Sequence, residues 1–342
     1  MVEKKGRLLY IDVLNCLAIF SVLMLHSSQI AHFGKIGMPI TILGNVLQSI
    51  FIPAVYIFFM NSGAMLLNYR KHQTTRVFMI KRVKRVVIPF LFWSVLYYLY
   101  DMKWTAFPGP IYHAHPGIRD FIMSFCNNNI NNIFWFFYVI IVIYIALPIV
   151  SLASEKHKNY LFGISVMSFL TKDFASWFGN LMGIKIHNEY FQFSLLEFIG
   201  YSILGYLIQE NYFSKKQENC LMTVGFITLF MSIFNDLTVG KFVLVASIGP
   251  MLYSVALFIF IKRLCENRNN NEKANRIFMM ASSSSLGMYI LHVLFYKVFI
   301  TVFDLKMTSL VYIFVMPVVV YLIGTPLIYF VRKVKIIRDV LP

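Results

Sequence analysis

Three polar residues, Asp12, Asn15 and His26, stand on one side of the first apolar segment of this chain, Leu8 to Ala31. At about 100° per residue, the step from Asn15 to His26 comes within roughly 20° of three full turns, and Asp12 falls about 40° from His26 on the same wheel. A carboxylate, an amide and an imidazole in that register can hold a proton, orient a polar ligand or activate a hydroxyl, and histidine suits the role of general base near neutrality. Ionisable groups are costly in hydrocarbon, so the stripe is expected to face protein or a water-filled cavity and to mark a functional site. Asn15 cannot touch His26 directly, because eleven helical residues rise about 16 Å. Asp12, nearer the start of the helix, is expected to be a structural partner of a basic group or of backbone.

The elements that carry such a stripe must be membrane helices. Of the 342 residues 58% are hydrophobic and only 13% charged, with a mean hydropathy of +0.68, beyond what a soluble domain of this length tolerates. Runs of roughly 18 or more mainly apolar residues, enough to cross about 30 Å of hydrocarbon, fall near 8–31, 42–68, 86–102, 133–153, 159–177, 190–209, 220–237, 242–262, 281–302 and 308–331. The expected fold is an all-α polytopic membrane protein of about ten transmembrane helices, one integral-membrane domain over residues 1–342.

The net charge of +16 reports topology rather than nucleic acid. Most lysines and arginines cluster before the first span, in 70–85, in 262–276 and after 331, which the positive-inside rule places in the cytoplasm together with both termini. Lys4, Lys5 and Arg7 precede the first span, but its length, Asp12 and Asn15 make it a retained helix rather than a cleaved signal. Cys16, Cys126, Cys220 and Cys265 form no CxxC pair and indicate neither zinc site nor disulfide framework. His113 and His115 have a metal-like spacing without an identifiable third ligand, so no metal is expected. They lie in the longest outer loop, 103–132, with Pro108, Gly109, Pro110 and the amides Asn127, Asn128, Asn129, Asn131 and Asn132. That loop is either a place for a polar substrate or a solvated connector.

Tyr10 to His26 resembles the opening of the acyltransferase 3 family of integral-membrane enzymes, in which an Arg precedes the helix-1 His by eleven positions; here that position is Asn15. Four further stretches match the family in order: Phe58-Phe59-Met60-Asn61-Ser62-Gly63 at the end of helix 2, Lys81-Arg82-Val83-Lys84-Arg85 with Pro89 before helix 3, Phe134-Trp135-Phe136-Phe137-Tyr138 with Pro148, and Ser285 to His292 on a late helix. The resemblance spans essentially the whole chain. It implies transfer of an acyl group, acetyl foremost, from cytoplasmic acyl-CoA to a hydroxyl of a cell-surface glycan or lipid-linked sugar, in a multi-pass protein of the cell membrane surrounded by its lipids.

Under that resemblance Arg82 and Arg85 are the expected coenzyme A ligands, because guanidinium forks suit phosphate oxygens, with Lys81 and Lys84 as generic or lipid-facing charge. Their alternative is a topology determinant or an anionic-lipid contact. His26, roughly 25 Å beyond the cytoplasmic start of helix 1, is the expected general base, with Asn15 orienting it through intervening groups. Ser62 and Trp135 are candidates to line the acyl tunnel, and Tyr289 and His292 to contact the acceptor or to be satisfied core residues. A different class of function, an exporter of polysaccharide or lipid-linked sugar built on the same polar stripe, is the alternative. The Arg82-x-x-Arg85 cluster and the lack of an evident inverted repeat count against it.

Overall fold

A chain crossing hydrocarbon must satisfy its backbone N–H and C=O groups internally, and helices do this within one segment. The computed structural model describes residues 8–103, 113, 115–184, 194–239, 249–267 and 272–341. These form helices and turns with no strand among them: α1 (Leu9–Ser27), the single turn α2 (Ile30–Phe33), α3 (Pro39–Phe51), α4 (Pro53–Leu66), α5 (Thr75–Arg82), α6 (Ile88–Lys103), α7 (Ile118–Cys126), α8 (Trp135–Ala153), α9 (Lys158–Phe169), α10 (Ala175–Met182), α11 (Ser194–Gln209), α12 (Lys215–Leu237), α13 (Gly249–Glu266), α14 (Glu272–Ser283), α15 (Ser285–Phe303), α16 (Met316–Val331) and α17 (Lys335–Val340).

Seven helical stretches among the described residues are long and apolar enough to cross a membrane: Leu9–Phe33, Pro39–Lys71, Thr75–Asp101, Asn132–Ala153, Lys215–Leu237, Ser285–Phe303 and Val311–Val331. Ten were expected. The expected spans 190–209 and 242–262 begin outside the described residues, and 159–177 carries Lys172 and Asp173 in a π-turn between α9 and α10. Large apolar side chains such as Ile145, Ile149, Phe230 and Leu322 are well exposed, as lipid-facing residues should be. The loop residues Pro108, Gly109 and Pro110, and the N-terminal Lys4, Lys5 and Arg7, lie outside the described residues.

Helix α1 is central and packs against α3, α4, α13, α14, α15 and α16. Because lipid tails are as apolar as leucine, membrane helices associate through close packing and hydrogen bonds. Close packing is most evident where α4 crosses α11: a Cβ added to Gly63 would sit 1.7 Å from the Ser202 carbonyl oxygen, and one added to Gly205 2.0 Å from that of Met60. This backbone-on-backbone crossing fixes the turn of α4 that carries Asn61 and Ser62.

Hydrogen bonds from tyrosine hydroxyls to neighbouring backbones supply the rest. Tyr97 donates to the Ile290 carbonyl (2.7 Å), Tyr289 to that of Ile133 (2.7 Å) and Tyr296 to that of Leu23 (2.6 Å). Each such bond contributes about 0.6 kcal/mol on average in membrane proteins, and together they set α15 against α1, α6 and the turn before α8. At the C-terminal end, the Trp93 indole donates to the Val340 carbonyl (2.8 Å) and Leu341 is buried close to Gly287. These contacts tie α17 to α6 and to the start of α15.

Candidate active site

A cavity of about 820 Å³ opens among α1, α4, α8, α14, α15 and the π-turn Val83–Val87 that joins α5 to α6. At one end stand five cations, Arg82, Lys84, Arg85, Arg332 and Arg338, with Asp12 and Asp339 as the acidic residues of the lining. The π-turn widens the helix between Arg82 and Arg85, a departure that recurs at functional sites. Arg82 is half-buried, its guanidinium 5.7 Å from the ring centres of both Phe78 and Tyr144, and its Nε is buried without a hydrogen-bond partner. Arg332 donates through Nη1 to the Ser283 carbonyl and likewise keeps a buried Nε without a partner. Burial, with Arg85 and Arg338 nearby, lowers the Arg332 pKa from its ordinary value. Guanidiniums crowded in this way favour an anion among them.

Deeper in, the wall becomes neutral and polar. Asn61 Nδ2 donates to Asn15 Oδ1 (2.9 Å), and Asn15 Nδ2 donates to Ser282 Oγ (3.1 Å). Three helices, α4, α1 and α14, are thus linked by one chain of amides. Ser62 Oγ lies 3.4 Å from the Tyr144 hydroxyl. The cavity also meets Tyr289, whose ring centre is 5.8 Å from that of His292.

Behind Tyr289 two imidazoles face each other, His26 and His292, with ring centres 4.8 Å apart. His292 is fully buried and its Nδ1 lies 2.7 Å from the Tyr289 carbonyl oxygen, which can only accept. Nδ1 therefore carries the proton and Nε2 the lone pair; Nε2 has no partner. His26 Nδ1 lies 3.1 Å from the Gln29 amide nitrogen.

The arrangement gathers most of the residues expected from the sequence and separates others. Asn15, Ser62, Arg82, Arg85 and Tyr289 line one cavity, whereas His26 and His292 form a pair beyond it. Asp12 is buried and lines the cavity, and so does Lys84, expected to be generic charge. Lys81 is exposed and bonds Gln73 Oε1 (2.7 Å). Trp135 is not among the lining residues; its ring packs against Phe198 at 5.7 Å. In the loop between α6 and α7, His113 Nδ1 pairs with Asp120 (2.7 Å) and His115 is exposed. No cluster of three or more metal-ligating side chains occurs among the described residues. Asn127 Nδ2 bonds the Met123 carbonyl, Asn128 adopts a left-handed φ of 54°, and Asn131 accepts from the Ile133 N–H. These amides shape the turns between α7 and α8.

Sequence reading missed Arg332, Arg338, Asn61 and Ser282. The two arginines read as topology signals after the last span; only tertiary structure separates them from such signals, by bringing Arg332, just past α16, and Arg338, on α17, to the lining of one cavity. Asn61 stood inside a quoted motif, and its signal was a polar residue deep in an apolar helix. A family model described as an acyltransferase domain matches residues 8–331 of the chain. No curated protein and no solved structure matches it.

Proposed function

The chain belongs to the acyltransferase 3 family, and from that premise we propose that this multi-pass membrane acyltransferase takes its acyl group from acyl-CoA, acetyl foremost, and delivers it to a hydroxyl of a surface glycan or lipid-linked sugar. The observation that carries the donor assignment is the cationic end of the cavity. Arg82, Arg85, Arg332 and Arg338 all line it, Arg82 and Arg332 each with a buried Nε in want of an acceptor, and coenzyme A brings a diphosphate and a 3′-phosphate. Its pantetheine arm then extends past Asn15 and Ser62 toward Tyr289, with the thioester directed to the histidine pair. The alternative of an exporter has no comparable observation in its favour.

In the proposed reaction His26 removes the proton of the acceptor hydroxyl as its oxygen attacks the thioester carbonyl. The C–S bond breaks, the ester C–O bond forms, and the proton passes to the departing thiolate, leaving free CoA. General-base help of this kind is worth about 10² to 10⁴ in rate. His26 serves through Nε2 when the Gln29 carbonyl turns to the ring and holds the proton on Nδ1. His292, its tautomer fixed by the Tyr289 carbonyl, packs on His26 and holds its ring in place. Ten spans with both termini in the cytoplasm would put the arginines at the inner face and His26 nearer the outer one, so that donor and acceptor arrive from opposite sides.

The test uses membranes from cells expressing the chain and radiolabelled acetyl-CoA, with label followed into the glycan fraction. His26→Ala should reduce incorporation at least about 100-fold while leaving CoA binding intact. Arg82→Gln with Arg332→Gln should raise KM for acetyl-CoA. Wild-type incorporation by His26→Ala would remove the base assignment, and an unchanged KM would return the arginines to topology.

A further inference from the structure

The amide chain across the cavity ends on an unmet hydrogen-bond acceptor. Asn61 gives Nδ2 to Asn15, and Asn15 gives Nδ2 to Ser282, which leaves Asn61 Oδ1 buried without a partner in a side chain only 5% exposed. A buried acceptor left unmade costs more than an ordinary hydrogen bond returns. One that lies in a cavity wall is therefore suited to a ligand that brings an N–H.

We propose that Asn61 Oδ1 accepts the N–H of the pantoyl-side amide of the acyl-CoA arm, making the Asn61–Asn15–Ser282 chain a measuring point for the donor. The inference rests on acyl-CoA being the donor. Phosphates, thioester and acyl carbonyl offer only acceptors, so along the arm the donors are the two amide N–H groups and the pantoyl hydroxyl, which stands beside the pantoyl-side amide. Length selects between them. Asn61 bonds Asn15, and from that level to His26 the α1 axis rises about 16 Å, a separation that stands because both side chains lean toward the N-terminus alike; the hydrogen bond at one end and the acceptor hydroxyl at the other take up about 6 Å of it. The β-alanyl-cysteamine portion is comparable to two and a half extended residues, about 9 Å from the pantoyl-side nitrogen to sulfur. Anchored at that amide, the thioester comes within reach of the imidazole; anchored at the cysteamine-side amide, it stops short. Asn15, in the position where the family pattern has Arg, then serves to hold Asn61 in register. It is a positioning residue, and Asn61 is the group that touches the donor.

The experiment measures the dissociation constant of CoA, and of an analogue with an ester oxygen in place of the pantoyl-side N–H, for the purified chain in lipid nanodiscs by titration calorimetry. Wild type should bind the analogue about tenfold more weakly. Asn61→Leu should weaken CoA by a similar factor and bind the two compounds alike, whereas Asn61→Asp, which keeps an acceptor, should still prefer CoA. An analogue altered at the cysteamine-side amide should bind wild type and Asn61→Leu with the same ratio as CoA. Equal wild-type affinity for CoA and the pantoyl-side analogue overturns the proposal whether or not the variants fold, and so does undiminished preference in Asn61→Leu. If wild type binds no CoA at all, the donor assignment itself falls, a result distinct from binding without discrimination.

Discussion

In the proposed reaction the choice of working nitrogen at His26 belongs to Gln29, whose amide lies 3.1 Å from Nδ1. With its carbonyl toward the ring, Gln29 keeps the proton on Nδ1 and frees Nε2; with its amine toward the ring, it reverses the tautomer. Gln29→Leu removes the selection, and kcat should fall about tenfold with CoA affinity unchanged. Gln29→Glu, able only to accept, should keep kcat close to wild type. A Leu variant with unaltered kcat would show that the imidazole needs no such partner. His26 and Asn15 were legible in the sequence because a polar group in hydrocarbon demands a reason. Asn61 carries the same kind of signal, but what singles it out is an unpaired buried atom that only the tertiary structure shows. Trp135, expected to line the acyl tunnel, packs on Phe198 instead of lining this cavity, a choice that an aromatic at a helix start leaves open in the sequence.

Among elements, α17 shows what sequence cannot disclose. It is a six-residue helix, too short to be stable alone, and it stays in place through the Trp93 bond to Val340 and the burial of Leu341. Its contribution to the site is Arg338. Trp93→Phe removes the indole N–H while keeping an aromatic ring, and it should raise KM for the donor about three- to tenfold without lowering kcat, measured in acetyl-transfer assays. A change in kcat alone would mean that α17 serves the chemistry rather than donor capture. Apolar periodicity and length gave the long helices, but the π-turn at Val83–Val87, which sets how Arg82 and Arg85 present themselves, carries no such signal.

For the whole molecule, sidedness rests on the distribution of lysine and arginine, and two cysteines offer a direct check. Cys126 and Cys220 are both free and exposed; the first ends α7 in the expected outer loop, and the second lies near the start of α12 on the expected cytoplasmic side. In intact cells a membrane-impermeant maleimide should label Cys126 and spare Cys220 until the cells are permeabilised. The opposite pattern would invert the molecule and turn the arginine end of the cavity outward, away from any cytoplasmic acyl-CoA. Fold class was readable from composition alone, because no other arrangement hides so much apolar surface in water. Of the ten expected spans, two begin outside the described residues, and Lys172 and Asp173 within a third blur what length and hydropathy count.

The contact between α17 and α6 also sets an order of events during biosynthesis. Arg332 and Arg338 lie beyond every long helix that frames the cavity, so a ribosome delivers the histidine pair and the amide chain to the bilayer well before it delivers the residues that complete the cationic lining. Under the proposed donor assignment, a nascent chain with its helices already inserted holds Arg82 and Arg85 but lacks the other two arginines, and the cationic lining is complete only when the tail docks under Trp93.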